Sequence, residues 1–327
     1  MFRFKTTLGA IALALTLVLT TANNAYSQED TLKISDNPEY YVITGKEDVR
    51  IADEIMAELS KMPESSTTNE LMVAAAKRLL GTPYVAGTLE TGDSETLRVY
   101  LTKTDCILFV ETCMNLALTV KKYGSDYSFE KFANLVRESR YRNGVVRNYS
   151  DRIHYTTEWI RQGEARGILT DETKNFGGVV YNHPIFYMSK NFKSYKHLKD
   201  ADAQRDDCCG LHNNSNARKS SQEMAALNLQ VIKESEDALN AVPFYYIPGS
   251  GIKKMEKKMK SGDVLGYMSG TPGLDIAHVA MVYVEKGKVG FIHASMAEMK
   301  VVIDELPIDK YVASRKSLTG IKVMRVR

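Results

Sequence analysis

The chain has little net charge for its length. Its 327 residues include 43 lysines and arginines against 40 aspartates and glutamates, which gives a formal net charge of +3 at pH 7. Loss of an N-terminal segment that carries Arg3 and Lys5, and no acidic residue, would leave about +1. This near balance excludes a polycation that acts mainly by coating nucleic acid. We therefore expect no nucleic-acid partner.

Long apolar runs are absent beyond the N-terminus, and the sequence shows neither repeats nor low-complexity tracts. Residues 8–20 are apolar or small, and Ala25 and Ser27 provide the small side chains that signal peptidase reads. We predict a signal peptide over residues 1–27, because the apolar run is short for a membrane span. The sequence thus predicts an exported protein, periplasmic or secreted, with no stable membrane insertion after cleavage. No cysteine precedes Cys106, so we expect no lipid anchor.

Only four cysteines are present, and their spacing argues against a disulfide framework. Cys106 and Cys113 are seven residues apart, which on one helix is about 10 Å along the axis and too far for a disulfide. Cys208 and Cys209 are adjacent, and a disulfide between neighbours is strained. We expect at least one thiol to stay free.

The order of the hydrophobic patterns predicts an α+β fold, with helices first and antiparallel strands in the last third. Residues 28–66 form an N-terminal part, which has an irregular lead-in over 28–45 and a helix that ends before Pro63. Residues 67–327 form one domain. We expect Thr68 or Asn69 to cap the first helix of this domain, and the polar stretch near 195–220 to be a loop insertion. The predicted helices cover 46–62, 67–80, 105–123, 129–138, 156–162 and 221–239. The predicted strands cover 244–247, 264–268, 276–284, 288–293, 300–303 and 321–326.

The stretch TKTDCILFVETCM, residues 102–114, predicts a buried helix with a cysteine at its start. Thr104 or Asp105 can cap this helix, which places Cys106 in the first turn. Unsatisfied N–H groups and the positive end of the helix dipole favour a thiolate there. Cys113 lies two turns deeper among apolar residues, where we interpret it as a packing residue. Cys106 is therefore the candidate nucleophile.

A cysteine nucleophile needs a base, and two of the six histidines lie in one predicted hairpin. With the turn at Lys286 and Gly287 and an even loop, position 280 opposes His293. His278 lies two residues earlier on the same face, so the two backbones are roughly 7–8 Å apart. We interpret His278 as the general base and His293 as the group that fixes its tautomer. A three-residue loop would put the two histidines on opposite faces.

Two other interpretations of these residues stay open. Both histidines could be ordinary half-buried side chains, or they could bind zinc together with Cys106. No CxxC or HExxH spacing supports a metal site, and we expect neither metal nor cofactor. Cys208, Cys209 and His212 form a second cluster in the polar loop, which we interpret as incidental.

Several motifs agree in order and spacing with one known family. GTPYVAGTLE, TKTDCILFVET, RYRNG, SDRIHYTTEWI, SGDVLGYM, LDIAHVAMVY and FIHAS resemble those of the N-acetylmuramoyl-L-alanine amidase-like family, an exported branch of the papain-like NlpC cysteine peptidase superfamily. The resemblance covers roughly residues 68–327. It implies a cysteine helix packed on an antiparallel sheet or partly closed barrel that carries both histidines.

The resemblance also implies roles for individual residues. Cys106 matches the nucleophile, His278 the base and His293 the third polar residue. Tyr84 matches the tyrosine beside the nucleophile, and Asp105 the residue before it that is implicated in substrate contact. The sequence departs from the pattern at residue 280, where an alanine replaces the usual glycine and adds a methyl group without removing a catalytic atom.

The substrate class comes from the resemblance alone. It implies an amidase that acts on peptidoglycan or muropeptides at the amide between the lactyl group of N-acetylmuramic acid and L-alanine. Three alternatives remain open at this point. They are a γ-D-glutamyl-diaminopimelate endopeptidase on the same substrate, an acyl transferase, and a non-catalytic cell-wall-binding protein.

The segment 137–166 is rich in arginine and carries the single tryptophan, Trp159. Arginine binds carboxylates through two hydrogen bonds, and aromatic rings stack on sugar faces. We therefore predict that Arg140, Arg142, Arg152 and Trp159 contact the substrate. In the alternative interpretation these arginines pair on a solvated surface with nearby acids, namely Glu138, Asp151, Glu158 and Glu164.

Overall fold

The structure, a computed structural model, describes residues 31–33, 41–202 and 215–327. The predicted signal peptide lies outside the described residues, as do Cys208, Cys209 and His212 and the central part of the predicted insertion.

The helices and strands follow the predicted order, with most helices before most strands. The helices are α1 (Lys46–Leu59), α2 (Thr68–Arg78), α3 (Cys106–Tyr123), α4 (Phe129–Arg140), α5 (Thr156–Ala165), α6 (Tyr187–Lys190), α7 (Ser215–Asn240), α8 (Ile252–Met255) and α9 (Ile308–Ala313). The strands are β1 (Thr31–Lys33), β2 (Val42–Gly45), β3 (Leu97–Arg98), β4 (Leu169–Asp171), β5 (Val179–Val180), β6 (Tyr245–Pro248), β7 (Val264–Ser269), β8 (Ile276–Glu285), β9 (Lys288–Ser295), β10 (Lys300–Asp304) and β11 (Leu318–Val326).

The main sheet is antiparallel and open. Its strand order is β10-β9-β8-β7-β11-β6-β5, and β4 pairs with β11. The expected mixture of helices and an antiparallel sheet is confirmed, and the described strands do not form a closed barrel. The outer edges β10 and β5 do not pair with each other in this order, so the sheet has two ends.

The β8–β9 hairpin has the register that the turn predicts. Glu285 pairs with Lys288, and Met281 pairs with Ile292. Both turn residues have positive φ, 49° at Lys286 and 76° at Gly287, as a two-residue type I′ turn requires. One step further along the same register, Ala280 lies opposite His293. His278 and His293 therefore lie on the same face of the hairpin.

Side chains of β8 alternate between two cores on opposite faces of the sheet. Val279 and Met281 belong to a large core that also contains α3, whereas Ala280 and Val282 belong to a smaller core with α9. Period-two alternation of strand side chains produces this division. One strand therefore connects the cysteine helix on one face with an aromatic layer on the other.

The structure differs from the prediction at the N-terminal end. The lead-in was expected to be irregular, but it contains β1 and β2, which form a three-stranded sheet with β3. The cap of α2 is Thr67 rather than Thr68 or Asn69. The Thr67 side chain accepts from the Glu70 N–H, and the Glu70 carboxylate accepts from the Thr67 N–H at 2.7 Å. This reciprocal capping box fixes the start of the helix at Thr68.

Candidate active site

Cys106 is the first residue of α3, and Asp105 is its N-cap. The Asp105 Oδ1 accepts a hydrogen bond from the Leu108 N–H at 2.9 Å, which satisfies one of the free donors of the first turn. The helix then packs against α2, α4 and β8, and Cys113 is fully buried within it. The sequence predicted both the cap and the different surroundings of the two cysteines.

Burial has a larger effect on the pKa of the Cys106 thiol than the position of Cys106 at the start of the helix has. Burial raises the pKa of Cys106 to about 12, and the charge of Asp105 raises it further. Hydrogen bonds from the backbone N–H groups of Val279 and Ile107 act in the opposite direction but are weaker. The resting form at neutral pH is therefore the thiol, and a base must remove its proton during a reaction.

His278 and His293 form a hydrogen-bonded pair. The distance between His278 Nε2 and His293 Nδ1 is 2.8 Å, and the ring planes are 77° apart. The other nitrogen of His293, Nε2, is 3.9 Å from the Asp304 Oδ2 and has no hydrogen-bond partner among the described residues. The pair thus has a carboxylate at its inner end, and its outer member, His278, is only half-buried.

An aromatic layer surrounds the histidine pair. Tyr267 stacks on His278 with 5.6 Å between ring centroids, and Phe291 meets the edge of His293 at 5.0 Å. Tyr311 of α9 lies within 6.3 Å of the His278 ring and carries the Arg315 guanidinium at 3.5 Å from its own ring centroid. Tyr311 was not among the predicted site residues, because the helix that carries it, α9, was not predicted. Its spacing of four residues from Arg315 is the signal that could have identified it.

Burial keeps both histidines neutral. It lowers the pKa of His278 to about 3, where His293 and Arg315 act in the same direction. It lowers the pKa of His293 to about 4, with Asp304 opposing and Arg315 adding to the effect. At neutral pH both rings can accept as well as donate a proton, which a general base requires.

These lowered pKa values predict that the folded protein loses stability below about pH 6.5. An unfolded histidine binds a proton near pH 6.5, whereas His293 and His278 stay neutral in the folded state down to about pH 4 and about pH 3. The unfolded state therefore binds more protons in this window, and the free energy of unfolding falls as the pH falls. Urea unfolding between pH 7.5 and pH 4.5 measures this slope.

A pair of variants separates this effect from general acid denaturation. His293→Gln should reduce the slope of the free energy of unfolding against pH below pH 6.5. His154 continues to contribute to this slope, because burial also lowers its pKa well below its usual value. His183→Gln, at an exposed position outside the pair, is the control for the change from histidine to glutamine. Equal slopes in the two variants would show that His293 is not held neutral by the fold.

Tyr84 is placed beside the nucleophile by hydrogen bonds to two neighbouring segments. The Tyr84 N–H donates to the Met299 carbonyl at 2.9 Å, and the next N–H, that of Val85, donates to the Thr104 carbonyl at 2.8 Å. Burial, with added effects from the charges of Cys106 and Asp105, raises the pKa of the Tyr84 phenol. The phenol is therefore a neutral hydrogen-bond donor close to the thiol.

The predicted substrate-binding arginines all have carboxylate partners. Arg140 is buried and binds Glu111 at 2.5 Å, and Arg152 is buried and binds Glu90 at 2.5 Å. Arg142 pairs with Glu158, the one pairing among these three arginines that the alternative interpretation named correctly.

A cavity of about 100 Å³ nevertheless brings several of these predicted residues together. Arg140, Arg152 and Trp159 line it, together with Ile107, the residue after Cys106. Arg142 is not among the lining residues. The structure thus groups two of the three arginines and the tryptophan beside the first turn of α3.

The described part of the chain offers neither a metal-binding cluster nor a membrane-spanning helix. No group of three or more histidine, cysteine, aspartate or glutamate side chains there is arranged to hold a metal ion. Over the same residues, no helix combines the length and apolar character needed to cross a membrane.

The structure thus packs a helix that begins with a cysteine against β8, which with β9 carries two hydrogen-bonded histidines. The sequence profile of the N-acetylmuramoyl-L-alanine amidase-like family matches residues 74–321. The chain belongs to this family, and Cys106, His278 and His293 all lie within the matched residues.

Solved structures agree with this assignment. The chain is similar to an N-acetylmuramoyl-L-alanine amidase from Bacteroides uniformis, with 27% identity, a TM-score of 0.67, and coverage of 80% of this chain and 100% of that one. It is also similar to a putative xylanase from Bacteroides fragilis, with 30% identity, a TM-score of 0.64, and coverage of 77% and 98%. A Legionella pneumophila protein at 20% identity, TM-score 0.58 and coverage of 85% and 96% shares the fold. No curated protein matches the chain.

Proposed function

We propose that the protein is a cysteine-dependent peptidoglycan amidase that hydrolyses the amide between the lactyl group of N-acetylmuramic acid and L-alanine. The observation that carries the proposal is the hydrogen bond between His278 of β8 and His293 of β9. The residue after His278 on β8, Val279, contacts the Cys106 sulfur through its backbone N–H. Family membership supplies the substrate class.

In the first step, His278 takes the proton of the Cys106 thiol. When His278 Nε2–H donates to His293 Nδ1, the other nitrogen of His278, Nδ1, is a free acceptor. The proton of neutral His293 is then on Nε2, on the side of Asp304. Because the pKa of the thiol lies far above that of His278, a stable ion pair does not form at rest, and the proton moves only as the sulfur attacks.

The thiolate attacks the lactyl carbonyl carbon and forms a tetrahedral oxyanion. The Cys106 backbone N–H and the Tyr84 hydroxyl are the donors that we assign to this oxyanion. His278 then gives its proton to the nitrogen of L-alanine, and the C–N bond breaks to leave a thioester on Cys106. Water, deprotonated by His278, hydrolyses the thioester and restores the thiol.

Three further features belong to the same proposal. We assign the fold to the papain-like NlpC superfamily, because the cysteine helix packs on the strand that carries the base. We place the mature protein outside the cytoplasm, since residues 1–27 have the pattern of a signal peptide. Glycoside hydrolysis, the activity for which the Bacteroides fragilis protein is named, would need two carboxyl groups facing the cleft. Beside this thiol lie one carboxyl group, that of Asp105, and the phenols of Tyr84 and Tyr311.

A defined muropeptide tests the proposed bond. Incubation with N-acetylmuramoyl-L-alanyl-γ-D-glutamyl-diaminopimelate, followed by mass spectrometry, should yield free N-acetylmuramic acid and a tripeptide that begins with L-alanine. Release of diaminopimelate with L-alanyl-γ-D-glutamate still on the sugar would instead identify an endopeptidase. Xylan serves as the control polysaccharide and should give no new reducing ends.

A further inference from the structure

Two residues that line the cavity beside the first turn of α3, His154 and Arg152, have hydrogen-bonding atoms that neither the fold nor the proposed reaction uses. The space of about 100 Å³ is bounded by Ile107, Leu89, Arg152, His154 and Trp159, among others. It can hold several water molecules or one small substituent. It begins one residue after Cys106, so a substituent bound here would lie close to a reacting carbonyl.

His154 lines this cavity and has one ring nitrogen that can still accept a hydrogen bond. Its Nε2 is 2.9 Å from the Tyr149 carbonyl oxygen, and because a carbonyl only accepts, Nε2 carries the proton. Burial, together with the charge of Arg152, holds the pKa of His154 well below its usual value, so the ring is neutral. Its Nδ1 is then an acceptor, and it has no hydrogen bond within the described chain.

Arg152 offers donors at the same place. Its Nη2 binds the Glu90 Oε1 at 2.5 Å. Its Nε is buried without a hydrogen-bond partner among the described residues, and the closest carboxylate oxygen, that of Glu95, is 3.8 Å away. Its Nη1 likewise has no hydrogen bond within the described residues. The guanidinium therefore has donor capacity left over after its ion pair is made.

The charges around the cavity are already matched. Arg140 pairs with Glu111 and Arg152 pairs with Glu90, while His154 is neutral. A carboxylate entering this space would lose its hydration without meeting an unmatched cation, which is costly. A neutral group that both donates and accepts is favoured instead, and the apolar surfaces of Leu89 and Trp159 favour one that also carries a methyl group.

We propose that this cavity binds the acetamido group of the N-acetylmuramic acid residue. His154 Nδ1 accepts from the amide N–H, the Arg152 guanidinium donates to the carbonyl oxygen, and the methyl group lies against Leu89 and Trp159. The assignment rests on the proposed function. It also follows the chemistry of the sugar, because the acetamido group and the lactyl ether are on adjacent ring carbons. Binding of one positions the other at Cys106.

Two substrates that differ only in this group test the assignment. They are N-acetylmuramoyl-L-alanyl-D-isoglutamine and the same molecule with a free amine on the sugar. We expect kcat/KM to be at least about ten-fold higher for the acetylated substrate, because the free amine lacks both the accepting carbonyl and the methyl group. In His154→Phe, which keeps a ring beside Tyr149, this ratio should fall several-fold, as loss of one neutral hydrogen bond predicts.

His197→Phe is the matched control. His197 also stacks on Tyr149, with 5.0 Å between ring centroids, but it is not among the residues that line the cavity. The substrate ratio should therefore be unchanged in this variant. Should His154→Phe fail to fold, Leu89→Trp decides the question. Leu89 is half-buried in a turn, and a larger side chain there should fill the cavity and lower kcat/KM for the acetylated substrate at least about ten-fold.

The outcomes separate the two proposals. Equal kcat/KM for both substrates would overturn the acetamido assignment and leave the amidase activity standing. An unchanged substrate ratio in His154→Phe, or full activity of Leu89→Trp, would overturn it as well. If neither substrate is cleaved at the lactyl–L-alanine bond, the proposed function fails and the assignment fails with it.

Discussion

Replacing Cys106 by alanine should reduce kcat on the defined muropeptide by at least about 10⁴-fold while the protein stays folded. The sulfur forms the acyl bond in the proposed reaction, and no other group at this position can replace it. The fold should tolerate the change, because Cys106 is only half-buried and the cap of α3 is supplied by Asp105. The free energy of unfolding should change by less than about 1 kcal/mol. Steady-state kinetics and urea unfolding on the same preparation measure both quantities.

Cys113→Ala is the control from the same helix. Cys113 is fully buried in the large core, so its truncation should destabilise the protein by about 1–2 kcal/mol through lost packing. Its activity at a temperature where it is folded should match that of the unmodified protein. Substantial turnover by Cys106→Ala, or loss of turnover in folded Cys113→Ala, would show that the nucleophile has been assigned to the wrong residue.

The relation between the two histidines could be predicted because it depends on local rules. A two-residue turn at Lys286 and Gly287 fixes the pairing of β8 with β9, and strand side chains alternate with a period of two. Those two rules place His278 and His293 on one face before any tertiary structure is known. In the same way, Thr104 or Asp105 followed by an apolar run predicts the start of α3, and the structure has Asp105 as the cap.

The elements that escaped prediction are short and depend on tertiary contacts. The strand β2 has four residues and is held by pairing with β1 and β3. The helix α9 has six residues, fewer than an isolated helix needs for stability. Missing α9 also meant missing Tyr311, which completes the aromatic layer around the histidines.

The protonation state of Cys106 shows a second limit of the sequence. The helix start predicts stabilisation of a thiolate, whereas burial and the neighbouring Asp105 raise the pKa of the thiol to about 12. Desolvation depends on what covers a residue, and no local pattern reports this.

The partners of the arginines could not be predicted from local patterns either. Glu111 precedes Arg140 by 29 residues, and only the packing of α3 on α4 brings them together.

Replacing Arg140 by methionine should lower the free energy of unfolding by about 3–5 kcal/mol, the usual effect of leaving one charge of a buried ion pair unmatched. Glu111 is 2% exposed, and the two Arg140 nitrogens that bind it would be lost, together with a hydrogen bond to the Arg98 carbonyl. Burial already raises the pKa of Glu111, and loss of the cation would raise it further. Protonation would then remove the unmatched charge, so the deficit should shrink as the pH falls toward the pKa of Glu111. Urea unfolding at pH 7 and pH 5 measures both effects.

The double variant Glu111→Leu, Arg140→Met decides whether Arg140 acts through this pair or through the substrate. If the guanidinium mainly neutralises Glu111, removing both charges should recover much of the stability that Arg140→Met loses, because an apolar pair of similar volume can replace a buried ion pair. Its activity should then recover to a similar extent, since the cavity wall is restored. If instead Arg140→Met keeps its stability and loses kcat/KM, the guanidinium contacts the substrate directly, as the arginine-rich segment suggests. Arg140 lines the same cavity as His154. That result would therefore mean that Arg140 is available as a cation for a bound carboxylate. It would favour a carboxylate over an acetamido group as the occupant of the cavity.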